Sequence, residues 1–156
     1  AGQCPALELG DGSVLTEITA ICEYLEEKQP DPPLIGRTPE ERAETRMWTR
    51  RVDLGIVEPL ANGFRFSQGL KMFENRMRCL PEAADGLKAC AQDKLAWLDG
   101  QMQGRTFIAG ERITLADVLL FCFLDFGTQV KQPLNPDLKN VNAWFARMAA
   151  RPSAAA

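Results

Sequence analysis

The 156-residue chain contains no histidine. That absence removes Ser-His-Asp and Cys-His catalysis, histidine-ligated metals and histidine pH switching. Chemistry must then come from carboxylates, hydroxyls, thiols, Arg or Lys, backbone dipoles or a bound cofactor. No two of the five cysteines (Cys4, Cys22, Cys79, Cys90, Cys122) are spaced CxxC, so without histidine a metal site is not expected. Cys22, Cys90 and Cys122 sit among apolar residues in helical patterns and read as small buried hydrophobes in a reducing compartment. Positive charge is not in excess. The 18 Lys+Arg against 21 Asp+Glu leave a net charge of -3, which argues against nucleic acid as the main partner. Long apolar runs are also missing. The longest, Val118 to Leu124, is far below the ~20 residues that span a bilayer, and no basic-then-apolar leader opens the chain. A soluble, cytoplasmic protein with neither nucleic acid nor membrane as partner is expected.

What is present is an ordinary globular composition, 46% hydrophobic and 25% charged, in a chain long enough to bury a real core. Short apolar runs at 4–9 and 13–16 flank Gly10-Asp11-Gly12, a hairpin signal. Ile18, Ile21, Cys22 and Leu25 then fall on one face of a helix, with Thr16 as its expected N-cap. Residues 29–39 hold four prolines and a glycine, so neither helix nor central strand continues there. Thr38-Pro39-Glu40-Glu41 opens a second helix with a capping Thr, Pro in its first turn and acids at its positive end.

That helix is expected to run over 39–63, weakened or bent at Gly55 and Pro59. It carries two apolar stripes, Ala43-Met47-Leu54-Val57-Ala61 and Trp48-Val52-Ile56-Leu60, which imply packing on two sides. Residues 64–80 read as a helical continuation or a mobile connection. Pro81 starts a helix to about Met102, with Leu87, Ala91, Leu95, Leu98 and Met102 inward. Leu115 to about Gln129 is apolar nearly all round, which predicts a central bundle helix, and Val141, Trp144, Phe145 and Met148 mark the last one. Thr114-Leu115-Ala116-Asp117 is a capping box, with Ile113 and Val118 placed for a hydrophobic staple.

In that order, Gln3-Cys4-Pro5-Ala6-Leu7, the junction Leu15 to Ile21, the Pro-rich linker and the segment Phe107 to Asp117 resemble a cytosolic glutathione S-transferase of bacterial cast, over essentially the whole chain. The resemblance implies a mostly α fold. Residues 1–28 would be the β-β-α remnant of a thioredoxin-like glutathione-binding domain, 29–38 a linker, and 39–156 the all-helical C-terminal domain. The family's first strand, its first helix with the activating Ser, Cys or Tyr, and its second strand have no counterpart here. The start at Ala1 is therefore read as an N-terminal truncation, with the activating residue upstream and the chain alone expected to be inactive.

The resemblance also implies site residues. Pro5 corresponds to the family's cis-proline, leaving the Cys4 backbone to pair with the cysteinyl backbone of glutathione as a short strand addition. Gln3 would offer its amide to the peptide. The backbone N–H at Ile18, at a helix start, suits the γ-glutamyl carboxylate, and Glu17 its ammonium. Most relatives have Ser or Thr where this chain has Ile18, which removes a hydroxyl contact worth roughly 1.5–3 kcal/mol. Trp48 and Arg51, with Phe64, Phe66, Met72 and Phe73 nearby, are candidates for the wall of an electrophile pocket; core packing is the alternative. Arg42, Arg46 and Arg50 recur every four residues. They read as a solvated face offset by Glu40, Glu41 and Glu44, as a homodimer contact onto Glu23, Glu26 and Glu27 of a second subunit, or as the seat of an anionic co-substrate.

Glutathione and a small hydrophobic electrophile are thus the expected partners, and detoxifying conjugation the expected reaction. A sibling isomerase, dehalogenase or peroxidase activity, or a non-catalytic interaction module of the same layout, are the alternatives.

Overall fold

The computed structural model describes residues 4–154; Gln3 lies outside the described residues. The chain opens with a hairpin of β1 (Ala6–Glu8) and β2 (Val14–Thr16), antiparallel with Ala6 opposite Thr16 and Glu8 opposite Val14. Its turn is closed by Asp11, whose carboxylate accepts from the Ser13 N–H (2.9 Å) and hydroxyl (2.6 Å). Helix α1 (Ile18–Lys28) follows at once, with Glu17 and not Thr16 at its N-cap; Thr16 is spent on the last strand pair.

The linker is pinned rather than loose. Glu26 of α1, a buried carboxylate, accepts from the N–H groups of Ile35 (2.6 Å) and Gly36 (3.2 Å). Gly36 adopts φ 125°, and a Cβ there would lie 2.6 Å from the Glu41 Cβ, so only glycine fits. Leu115 N–H donates to the Leu34 carbonyl at 3.0 Å, and Arg112 bridges the Pro33 carbonyl (3.4 Å) to the Thr45 hydroxyl (3.1 Å).

Helix α2 (Pro39–Val52) begins with the expected box: Thr38 Oγ1 accepts from Glu41 N–H, and Glu41 Oε2 accepts from Thr38 N–H. The predicted long helix does not simply bend. It passes through a π turn (Asp53–Val57) into α3 (Glu58–Arg65). Pro59 has no N–H and its ring crowds the carbonyl of Gly55, so the α-helical ladder breaks there. The Glu58 N–H reaches back five residues to the Asp53 carbonyl instead. The extra residue rotates everything downstream. Trp48, Val52, Ile56 and Leu60 are all core, as their stripe predicted. The other stripe is split: Ala43, Met47 and Leu54 stay exposed, while Val57 and Ala61, beyond the inserted residue, turn inward.

A short α4 (Leu70–Phe73) and a 3-10 turn (Pro81–Ala83) lead into α5 (Ala84–Gln101), which buries Ala91, Leu95 and Leu98; Leu87 is only half-buried. Helices α6 (Leu115–Gln129) and α7 (Lys139–Ala149) complete the bundle, and a 3-10 turn (Pro152–Ala154) ends it. α6 is not covered all round: Leu119, Leu120 and Leu124 are core, but Cys122 and Asp125 face outward. The buried-cysteine reading is corrected accordingly. Cys90 and Cys122 are exposed and Cys22 half-buried, because each lies on the side of its helix turned away from the core stripe.

Asp117 ties the bundle together. Fully buried, its Oδ2 accepts from the Thr114 N–H (2.8 Å) and hydroxyl (2.9 Å). Its Oδ1 accepts from the Ile108 N–H and from Trp144 Nε1–H, each at 2.9 Å. Asp117→Ala strands three N–H donors away from water. It is expected to destabilise the fold by about 3 kcal/mol or more, against about 1 kcal/mol for Thr114→Ala, measured by denaturant titration.

Candidate functional site

The hairpin, α1 and the π turn enclose a cleft of about 190 Å³. One wall is the chain from Cys4 to Pro5, whose peptide bond is cis, and the junction from Thr16 to Thr19. At that junction Glu17 has φ 68° and ψ 112°, a left-handed conformation that costs a non-glycine residue on the order of 1–3 kcal/mol. The turn aims both Glu17 and the first turn of α1 at the cleft. No side chain caps that helix, so its first N–H groups remain available to an anion. Ile18, 40% exposed, lines the same wall and contributes no hydroxyl.

The opposite wall comes from residues that pattern reading did not single out as site residues. Asp53 and Val57 of the π turn, Glu58 and Arg65 of α3, and Leu119 and Phe123 of α6 all line the cleft. Burial, then repulsion from Glu58 and more weakly from Glu17, pushes the Asp53 carboxyl above its ordinary range, with Arg50 pulling the other way. Arg50 lies 3.7 Å from it. Asp53 also borders a second cleft of about 320 Å³ between α1 and α2, where the buried Thr49 hydroxyl has no hydrogen-bond partner among the described residues. The signal for this wall was the Gly55-Pro59 spacing, which forces the π turn and so decides which helix face meets the hairpin.

Two expectations are corrected. Trp48 is 3% exposed and sits in the core, 6.1 Å from the Trp97 ring. Arg51 and Arg105 cover its ring at 4.9 and 5.3 Å. Neither Trp48 nor Arg51 lines either cleft, because both belong to the side of α2 turned toward α5. Phe64 packs edge-on against Phe73 and Phe126, at 6.1 and 5.1 Å, in an aromatic cluster that includes no part of Trp48.

The arginine stripe finds acidic partners within the chain. Arg46 holds Glu23 in a two-pronged ion pair, 2.9 and 2.7 Å, that joins α2 to α1. Arg42 donates to the Gly36 carbonyl at 3.3 Å and lies 4.0 Å from both Glu26 and Glu27. Arg50 faces Asp53. Glu23, Glu26 and Glu27, the acids expected to face these arginines, meet them within this chain, folded back by the linker. Among the described residues no group of three or more Cys, Asp or Glu is arranged to hold a metal, and no helix is long and apolar enough to cross a membrane.

Comparison with known proteins gives one consistent result. Residues 1–28 match the pattern "Glutathione S-transferase, N-terminal domain" and residues 81–152 "Glutathione S-transferase, C-terminal domain". The chain is 29% identical to glutathione S-transferase 2 of Saccharomyces cerevisiae over 158 residues, covering 98% of this chain and 66% of the yeast protein. The crystal structure of Gtt2 from the same yeast superposes with a TM-score of 0.90 at 30% identity, over 97% of this chain and 73% of that one. A glutathione S-transferase domain-containing protein from Marinobacter aquaeolei also gives 0.90, at 33% identity over 97% and 74%. Human elongation factor 1-gamma is 34% identical over 149 residues, 93% of this chain but only 31% of the factor. The chain thus spans just under two thirds of the yeast relative and about a third of the elongation factor.

Two outcomes follow from the charges. A double-mutant cycle on Glu23→Gln and Arg46→Gln is expected to give a coupling of up to about 1 kcal/mol, independent of protein concentration because the pair lies within one chain. Arg46 holds the Glu23 carboxyl below its ordinary value of 4.5, so this coupling is present above that pH and lost as pH falls through the depressed folded value. Asp53 has the opposite sign. Its folded value is raised, so its ionisation costs stability at neutral pH and nothing below 3.8. Asp53→Asn is expected to raise the thermal midpoint at pH 7, with the gain vanishing near pH 3.

Proposed function

Because this chain belongs to the glutathione S-transferase family, we propose that its cleft holds glutathione and presents the thiol to a small, largely apolar electrophile. The Cys4 backbone pairs with the cysteinyl unit. Glu17 and Asp53 face the γ-glutamyl ammonium, and the first N–H groups of α1 receive the γ-glutamyl carboxylate. Val57, Leu119 and Phe123 form the apolar surface against which the electrophile lies. In conjugation the sulfur–carbon bond forms as the leaving group departs, and the thiol proton passes to solvent. These residues bind and orient the reactants; no thiol-activating role is assigned to them. The working form is a cytoplasmic homodimer that detoxifies electrophiles, without a metal.

The observation that carries this reading is the strained Glu17 conformation. A chain tolerates a carboxylate at positive φ when the surrounding structure holds it there, and such residues cluster at ligand clamps. A carboxylate with no partner of its own among the described residues, beside free helix N–H groups, is complementary to an amino acid's ammonium and carboxylate together.

A second reading has one specific support, the similarity to elongation factor 1-gamma: a non-catalytic interaction module of the same layout. Retention on immobilised glutathione separates the two. The protein is expected to bind and to elute with free glutathione, and Glu17→Gln is expected to weaken binding roughly tenfold, the loss of one charge-assisted contact. Failure of the well-folded protein to bind would sink the glutathione reading and favour the module.

A further inference from the structure

Resting on that reading, we propose that Arg65 selects electrophiles that carry an anionic group on an apolar body. Arg65 ends α3 and lines the same cleft as Cys4 and Pro5. It is half-buried, and among the described residues no ion pair involves it. Its Nη1–H donates to Asn62 Oδ1 at 2.9 Å, and Asn62 in turn donates to Glu58 Oε2 at 3.2 Å. Asn62 therefore stands between the guanidinium and the nearest carboxylate of its helix. The Phe73 ring, 5.8 Å away, supports the guanidinium. Most of its five donors are left for a ligand.

The cleft is consequently two-ended. Glu17 and Asp53 make one end acidic; toward the other, Arg65 is the one cation of the lining among the described residues, held apart from Glu58 by Asn62. Asp53 opens the π turn and Arg65 closes α3, so the two lie at opposite ends of this wall. With the ammonium held at Glu17 and Asp53, the sulfur substituent is the part of the ligand left to extend toward Arg65. The space walled by Val57, Leu119 and Phe123 falls to whatever is attached to sulfur. An apolar body fills it, and a carboxylate at its far end meets the guanidinium in a charge-assisted pair.

Titration calorimetry with S-hexylglutathione and S-(5-carboxypentyl)glutathione tests this, since the two ligands have chains of similar length and differ in the terminal carboxylate. The wild-type protein is expected to prefer the carboxylate about fivefold, a partly exposed charge-assisted contact. Arg65→Gln should abolish the preference while leaving S-hexylglutathione affinity within about twofold, and Arg65→Lys should keep part of it. The wild-type preference should also shrink as salt rises from about 0.02 to about 0.5 M, a measurement that needs no variant. No preference in the wild type, one indifferent to salt, or one that survives Arg65→Gln overturns the proposal and leaves the glutathione reading standing. Binding of neither ligand overturns both.

Discussion

The buried carboxylate of Asp117 is the contact on which the rest depends. It fixes the start of α6 through Thr114, the preceding loop through Ile108, and α7 through the Trp144 indole. A carboxyl group in a core is tolerable only when its oxygens are saturated, and here both accept from two donors. The dependence propagates outward. The first residue of α6, Leu115, holds the linker at Leu34; the linker presents the N–H groups of Ile35 and Gly36 to Glu26; and Glu26 fixes α1. The strained Glu17 at the other end of α1 therefore inherits its position from a carboxylate in the middle of the helical bundle.

Charge is arranged in opposite ways on the two sides of α1. Toward the linker and α2, every acid finds a cation or an N–H: Glu23 meets Arg46, Glu26 the linker amides, Glu27 Arg42. Toward the cleft, burial and the charges of Glu58 and, more weakly, Glu17 raise the Asp53 carboxyl, with Arg50 at 3.7 Å pulling the other way. Perturbed carboxyls of this kind concentrate at functional sites, though structural ion pairs produce them too. The proposed reading is compatible with a chain that has no histidine. On that reading the reacting thiol arrives with glutathione, and the protein need contribute only dipoles, carboxylates and shape.

Much of this was legible in the residues. The capping boxes at Thr38 and Thr114 are local, and local rules decided them. The Trp48-Val52-Ile56-Leu60 stripe predicted its own burial. Cys4-Pro5 and Glu17, noted for their resemblance, come together in one cleft. What could not be read depended on where elements meet. A single inserted residue in the π turn moved Val57 and Ala61 to another face, which no fixed helical period anticipates. Trp48 looked equally suited to a pocket or a core, because both are apolar; its position opposite Trp97 decided it. The arginine stripe was paired with the right acids, and within the chain the linker folds them together; a sequence does not say whether such a partner is folded back or borrowed. Asp53 and Arg65 were invisible as cleft-lining residues because each sits at helical spacing among ordinary surface charges.

Helix α1 is held unequally along its length. Its C-terminal end is anchored by the buried Glu26, its middle by the exposed Glu23–Arg46 pair, and its N-terminal end, with Glu17, by the hairpin alone among the contacts described. Glu17 lies nine residues from that anchor, about 13 Å of helix. Dissolved salt therefore acts unevenly along the helix: it weakens the exposed mid-length clasp and spares the buried anchor.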